Sequence, residues 1–417
     1  MKDDTTMSAT AKAHGPKSHG LDGTLVDPDW PLLTLDEVRT LLAQFPDLGE
    51  PMQILTASPR PFSAAGVVVV RGDHEMNHWV FVKRHHRAVR DREGLLEEHR
   101  FLAHLLAHGA AVPRVFASAS GATAIESGEW TYEVHEIPPG IDLYEEAISW
   151  TPFRCADHAR SAGEALARLH LAAKNFDAPR RQPRPLVASF TIFAACDPAV
   201  EMERYLAARS SLANHKAVPV CAEQALELLA PFHVELAPLL PALVPLWTHN
   251  DLHASNLFWS DEAVEADHLA HATAVIDFGL ADRTNAVHDI AHAIERNIVE
   301  WLVLVDDPGH PGEVPIHLDH LDALLDGYES VRPLTQEESA ALAPMAALCH
   351  AEFALSEVDY FLGVLHSEAK AAMAYNGWLV GHAHWFNSHA GRKLIEFLRC
   401  RAAARSKPRP NQRTAHS

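Results

Sequence analysis

Between Trp247 and Asp282 the chain spaces two acids, an amide and two histidines in a way that suits phosphoryl transfer. Asp251 lies five residues before Asn256, and Asp277 closes the apolar run Ala274-Val-Ile and opens an Asp-Phe-Gly triplet. Moving a phosphoryl group from ATP needs a carboxylate to orient and deprotonate the attacking hydroxyl. It also needs oxygen ligands that hold Mg²⁺ against the phosphates. Asp251 has the type and place of the base, and Asn256 and Asp277 those of the metal ligands. His249 and His253 are read as braces that shape the loop by hydrogen bonding. The same His-x-Asp-x-His letters could belong to a two-metal hydrolase, a reading that leaves Asn256 and the following Ile-Asp-Phe-Gly without a role.

Such a loop works only if other elements bring it a nucleotide. From Gln53 to Arg84 short runs of β-branched and aromatic residues alternate with polar turns: Ile54-Leu55, Gly66–Arg71 and Trp79–Lys83. These are strand signals, and Gly72–His78 reads as the hairpin between two of them. Lys83 is placed at the end of its strand. Gly94–Ala107 follows as a helix with Leu95, Leu102, Leu105 and Leu106 as its apolar stripe. Packed beside the strand, that helix can point Glu98 at Lys83, with Glu97 the competitor, and the pair would hold nucleotide phosphates. Val112–Ser118 is expected to start another strand. Glu129–Gly140 runs as a strand into a Pro-Gly breaker, a hinge between a small β-rich lobe and a large helical one. Around Glu133, Val134, His135 and Glu136 the hinge backbone would meet the adenine edge. Helices are expected at Thr34–Ala43, Ala156–Ala173, Pro198–Ser211, Pro219–Leu229, Ala286–Val305, Leu318–Val331, Ser339–Val364 and Ser367–Ala404.

His249-x-Asp251-x-His253-x-x-Asn256 followed by Ile276-Asp277-Phe278 resembles the signature of the aminoglycoside phosphotransferase and choline kinase group. Lys83, Glu98, Gly163–His170 and Asp289-Ile-Ala-His292 extend the match over roughly residues 50–390. The resemblance implies an α+β, protein-kinase-like fold of two lobes, a small β-rich N-lobe (31–138) and a large mainly helical C-lobe (139–404), between disordered tails at 1–30 and 405–417. It implies an ATP- and Mg²⁺-dependent phosphotransferase with an alcohol group as acceptor: an amino alcohol, amino acid, sugar or aminoglycoside-like molecule. In the family the acceptor docks in the helical lobe, where acids often meet a substrate amine; Glu295, Glu352, Glu357 and Asp359 stand there. Asp289 would brace the catalytic loop. A catalytically inactive nucleotide-binding module is the alternative, and it usually lacks Lys83, Asp251, Asn256 or Asp277, all of which are present. Two positions depart from the family. Asn250 stands where Gly is usual, and Asn tolerates unusual backbone angles nearly as well. Ala254 replaces a frequent Pro. The stretch Pro61–Gly66 supplies a single glycine for a phosphate loop.

Composition bounds the remaining possibilities. The chain has 417 residues, 47% of them hydrophobic, and a formal charge of −20, enough for a large core and a field that repels nucleic acid and anionic membrane. No apolar run is long enough to span a bilayer, and the polar N-terminus lacks an export signal, so a cytoplasmic protein is expected. Its five cysteines are dispersed, as reduced thiols would be. His74-Glu-x-x-His78 copies a zinc-peptidase pattern, but that pattern needs a helix and here it falls among strand signals. The basic, Pro-rich segment Pro179–Pro185 reads as an exposed connection.

Overall fold

The computed structural model describes residues 18–19, 24–72, 77–264, 266–306 and 314–405. A two-residue pair, β1 (Ser18–His19) with β2 (Leu25–Val26), precedes α1 (Leu35–Leu42). Thr34 caps α1 in a capping box with Glu37. Five antiparallel strands follow in the order β3-β4-β5-β7-β6: β3 (Glu50–Ala57), β4 (Ala64–Arg71), β5 (Asn77–His86), β6 (Ile125–Ser127) and β7 (Trp130–Glu136). One sheet face carries Val68, Val70, Val80, Val82 and Val134, which α1 covers with Val38, Leu41 and Leu42. That strict alternation is what buries one side of a sheet.

Helix α2 (Arg92–Ala107) lies against the other face but sends its apolar side into the second core. Phe101 packs on Trp247 and Phe278 at centroid distances of 5.4 and 5.8 Å. Leu95, Leu102 and Leu105 are buried as the stripe predicts, whereas Leu106 is exposed. The second core belongs to the helical lobe: α3 (Ala156–Ala172), α4 (Pro198–Ala207), α5 (Ser210–Ala213), α6 (Ala217–Leu236), α7 (Ala286–Ile298), α8 (Trp301–Asp306), α9 (Leu318–Val331), α10 (Gln336–Leu348), α11 (His350–Asp359), α12 (Glu368–Met373), α13 (His382–Phe386) and α14 (His389–Arg405). Set into it are two small antiparallel ladders. β8 (Pro245–Thr248) pairs with β11 (Asp282–Asn285), and β9 (Leu257–Trp259) pairs with β10 (Ala272–Val275). Asp251 and Asn256 thus sit between β8 and β9, and Asp277 follows β10.

Several elements differ from their sequence-based outlines. Lys83 is not a strand end: β5 continues to His86, because Arg84, His85 and His86 are drawn inward by acids and an indole. Val112–Ser118 forms no strand and makes only an isolated bridge, Val115 with His135. The long helix expected after Ser339 breaks at Cys349, and α11 passes into a wide-turn segment, Tyr360–Val364. His78 lies on a strand, which cannot place it beside a helical partner. Residues 73–76, including His74, lie outside the described residues.

The segment expected to be a tail is anchored at its end. Trp30 stacks on His86 at 4.8 Å, and Asp29 binds Lys370 and accepts from Tyr360 Oη at 3.1 Å. Arg84 donates to the Pro31 carbonyl and, at 2.6 Å, to Glu37. Residues 29–37 therefore strap the sheet to the helical lobe. Among the described residues no helix is long and apolar enough to cross a membrane.

Candidate active site

The loop that carries Asp251 is held by one buried acid. Asp289, in the first turn of α7, accepts the amides of His249 at 2.8 Å and Asn250 at 2.7 Å. Its second oxygen also receives His170 Nε2 at 2.9 Å, and Tyr328 Oη bonds the other nitrogen of that imidazole at 2.7 Å. The helices that carry His170 and Tyr328 touch backbone to backbone. A Cβ on Gly163 would lie 2.0 Å from the Leu324 carbonyl, and one on Gly327 would lie 1.9 Å from the Arg160 carbonyl. Only glycine permits that approach.

Asn250 has φ +63°, the left-handed region that a glycine would otherwise serve. Its side chain does more than tolerate the angle. Oδ1 accepts from Thr248 Oγ1 at 2.8 Å, and Nδ2 donates to the Ala188 carbonyl at 3.1 Å. His249 Nε2 donates to the Ile276 carbonyl at 2.9 Å, which joins this loop to the strand before Asp277. His253 bonds Ser255 at 2.8 Å, and burial holds its imidazole neutral by pushing its pKa well down.

Asp251 is fixed by Arg296 of α7, whose Nε donates to Oδ1 at 3.0 Å. Burial raises the carboxyl's pKa despite that cation, the direction that makes a carboxylate a better proton acceptor. Asn256 donates Nδ2 to the Asp251 carbonyl at 2.9 Å, which leaves its amide oxygen as the remaining donor to a cation. Asp277, also at positive φ (+58°), accepts Lys83 Nζ and the Gly279 amide at 3.0 and 3.2 Å. Burial works against ionisation there, but Lys83 and the amide hold the acid well below the usual carboxylate range. Two hard oxygen donors, one permanently charged, suit a magnesium-class ion.

Lys83 and Glu98 do not pair with each other. Glu98 bonds Arg90 Nε at 2.9 Å and Arg181 Nη2 at 2.7 Å, and Lys83 turns to Asp277. The cause lies in the segment Pro179–Pro185, which is exposed at Pro179, Arg180, Gln182 and Pro183, as expected of a connection, but turns one arginine inward. Arg181 is buried, and besides Glu98 it donates to the carbonyls of Gly279 and Gly94. Arg184 binds Asp91 at 2.7 Å. Two guanidiniums outcompete one ammonium for the same carboxylate because each offers several donors in a fixed fork. Lys83 still feels Glu133 and Glu98: burial would lower its pKa, yet Asp277, Glu133 and Glu98 together raise it.

The hinge residues divide as well. Val134 is fully buried, and its carbonyl accepts the Phe116 amide at 2.8 Å. The Glu136 amide is spent on the Arg114 carbonyl at 2.9 Å. Glu133 turns its carboxylate to histidines, and with His135, Glu136, Ile137 and Pro138 it lines a cavity under the sheet. The backbone after Glu136 is thus the open stretch of that wall.

Two cavities meet at Arg60, Lys83, Asn256 and Asp277. One runs beneath the sheet, walled by Val67, Phe81, Leu102, Ile137, Ile276 and Phe278. The other enters the helical lobe, walled by Trp150, Leu280, Phe353 and Glu357, and it alone contains Asp251. Arg60, which sequence spacing did not single out, comes from the loop between β3 and β4. It bonds Ser255 Oγ and the Ala147 carbonyl, and it lines both cavities. That loop has no glycine of its own, since Gly66 lies inside β4. An arginine stands where backbone amides would otherwise face phosphate.

Of the four acids considered for an acceptor amine, one faces the second cavity. Glu352 accepts the amides of Thr191 and Ile192, Asp359 binds Ser211 and Arg209, and Glu295 pairs with Arg296 at 3.3 Å. Glu357 lines the cavity, is 2% exposed, and its Oε2 has no hydrogen-bond partner among the described residues. Burial pushes its pKa up to about 8.

A model of the phosphotransferase enzyme family matches residues 61–334. The chain belongs to that family. This phosphotransferase is 28% identical over 264 residues to a homoserine kinase of Xanthobacter autotrophicus, an overlap of 63% of this chain and 68% of that one. It is 26% identical, over the same shares, to a homoserine kinase of Methylobacterium radiotolerans. Among solved structures, amicoumacin kinase hAmiN in complex with AMP-PNP, Ca²⁺ and Ami matches 83% of this chain and 93% of that chain, with a TM-score of 0.50 and 16% identity. The kinase-like two-lobe fold expected from the motifs is the fold found, and the enzyme is a phosphotransferase with an alcohol group as acceptor.

Proposed function

We propose that the enzyme transfers the γ-phosphoryl group of ATP, with Mg²⁺, to a hydroxyl of a small acceptor that also carries an amine: an amino alcohol or a hydroxy amino acid. The observation that carries this reading is the junction of the two cavities. Lys83, Asn256, Asp277 and Arg60 stand where they join, and Asp251 stands only on the acceptor side. In-line transfer needs that order of donor, phosphate clamp and base. The cavity under the sheet would take the nucleotide, its adenine against Ile137 and Pro138. Lys83 and Arg60 would neutralise the phosphates, and Asn256 and Asp277 would hold Mg²⁺, whose chemistry is to shield charge on the phosphate oxygens. Asp251, aimed by Arg296, orients the acceptor hydroxyl and takes up its proton. Glu357 at the far wall would bind the acceptor's ammonium, and Trp150 and Phe353 would cover its carbon skeleton. The homoserine kinase relatives fit an acceptor of this size and charge.

The test is phosphate transfer from γ-labelled ATP to a panel of amino alcohols, hydroxy amino acids, sugars and aminoglycosides. Transfer to amine-bearing alcohols, abolished in Asp251→Asn with nucleotide binding retained, is the expected result. Unchanged turnover in that variant would remove Asp251 as base. Transfer to neutral polyols alone would remove the amine.

A further inference from the structure

The wall of the cavity beneath the sheet contains a cluster that phosphoryl transfer does not use. His85 of β5, His99 of α2 and His135 of β7 all aim Nε2 at the Glu133 carboxylate, each at 2.9 Å. A carboxylate only accepts, so each Nε2 carries its proton in this arrangement. His99 and His135 share the same oxygen, Oε2, and His85 takes Oε1. Three separate elements each turn a histidine to one buried acid. Burial alone would raise that acid's pKa, but the imidazoles pull it well below the usual carboxylate range.

The ligand atoms of His99, Glu133 and His135 lie within 4.8 Å of one another. An ion with bonds of about 2.0–2.2 Å to imidazole nitrogen and carboxylate oxygen holds its donors about 3.4 Å apart in a tetrahedral shell, so small rotations of the two rings bring all three donors into range. The ring of His99 is supported from behind: Nδ1 bonds Thr123 Oγ1 at 2.8 Å. A hydroxyl both donates and accepts, so this contact survives when the ring's proton moves from Nε2 to Nδ1, as metal binding at Nε2 requires. We propose that His99, His135 and Glu133 form a site for a divalent transition ion of the zinc class, with His85 orienting the carboxylate from its other oxygen. Two imidazoles and one carboxylate select such an ion over magnesium, which prefers an all-oxygen shell. Three protein ligands leave a fourth position, and Glu133 and His135 both line the cavity.

The ion has a consequence for phosphate binding, which rests on the function proposed above. Glu133 sits opposite Lys83 in the β5–β7 register. A dication on Glu133 offsets the carboxylate's charge and sets a positive charge across the strand pair from the Lys83 ammonium, so zinc is expected to raise the KM for ATP several-fold.

Crystals of the full chain soaked in ZnCl₂, measured on both sides of the zinc absorption edge, test the site directly. An anomalous peak between His99, His135 and Glu133 supports it. No peak there, or one only beside Asn256 and Asp277, overturns it. In solution, Co²⁺ should give the intense visible bands of a low-coordinate nitrogen–oxygen site. His99→Gln and His135→Gln should weaken Co²⁺ binding by about tenfold or more, and Asp277→Asn should leave the bands unchanged. Bands that persist in both histidine variants overturn the assignment. If those variants lose their circular dichroism, the wild-type anomalous map decides alone. A peak without any rise in the KM for ATP overturns the coupling to Lys83, and it bears on neither phosphoryl transfer nor the metal site.

Discussion

Glu357 is proposed to select the acceptor because it is a buried acid in a wall of rings, and the cation that it feels, Arg296, is already paired with Asp251 and Glu295. With an amine-bearing acceptor, assayed above pH 8 where the carboxyl is ionised, Glu357→Gln should raise the acceptor KM by about tenfold, in line with 1.4 kcal/mol per decade for one lost charge-assisted contact, and change kcat little. Steady-state kinetics with a neutral alcohol as control check this. The same residue predicts a pH effect on stability. Its folded pKa of about 8 lies above the ordinary 4.5, so the folded state binds the extra proton between those values, and stability falls as pH rises through that window. Glu357→Gln has no such proton, and its melting temperature relative to wild type should climb from pH 6 to pH 9. Arg296→Gln should lower kcat strongly, since it frees Asp251 and leaves Glu295 buried without its cation. At this scale the sequence was readable where chemistry fixes spacing. Asp251, Asn256 and Asp277 stand out because a loop and a strand end must present them. Glu357 did not separate from Glu295, Glu352 and Asp359, because helical periodicity shows that a residue is on a helix and not which neighbour it meets. Arg181 hid in a Pro-rich run whose composition resembles that of exposed loops.

Among the elements, the crossing of α3 and α9 governs the catalytic loop from behind. Gly163 and Gly327 let the helices touch, His170 and Tyr328 then meet, and His170 holds Asp289 in place under His249 and Asn250. Gly163→Ala should force the helices apart and cost about 1–3 kcal/mol of stability, the usual scale for overpacking. Denaturant unfolding measures that cost, and kcat should fall beyond what the remaining folded fraction explains. Asn250→Gly separates two roles of one residue: it keeps the left-handed backbone but deletes the bonds to Thr248 and Ala188. Reduced thermal stability with retained turnover is the expected outcome, by thermal unfolding and initial-rate assays. The sequence predicted α1, α2, α3 and α9 within two residues at each end, because their apolar stripes are regular, but it ran together the helices that break within 198–211, 286–305, 339–364 and 367–404. It missed the extension of β5 through Arg84–His86, whose polar residues look like a turn until Glu37, Glu133 and Trp30 are in place to receive them.

At the scale of the whole molecule the two lobes are joined by more than the chain at Gly140. Helix α2 belongs by position to the sheet and by packing to the helical core, so motion of one lobe drags the other's aromatic cluster. The family match ends at residue 334, and the acid proposed to select the acceptor lies beyond it, as do Tyr360 and Lys370, the partners of the N-terminal strap in the helical lobe. That strap runs from the sheet, where Trp30 lies on His86, to Lys370 and Tyr360, and Phe62 of the β3–β4 loop packs on the same tyrosine at 5.4 Å. Tyr360 is therefore a clasp. If the cleft gapes to release product, the Asp29–Lys370 link breaks, and dissolved ions compete for the Lys370 ammonium, whose side chain is 35% exposed. If that departure limits turnover, kcat rises with ionic strength in the wild type and becomes indifferent to salt in Asp29→Asn. The catalytic cycle would then be timed by a latch some three hundred residues away in sequence from its catch.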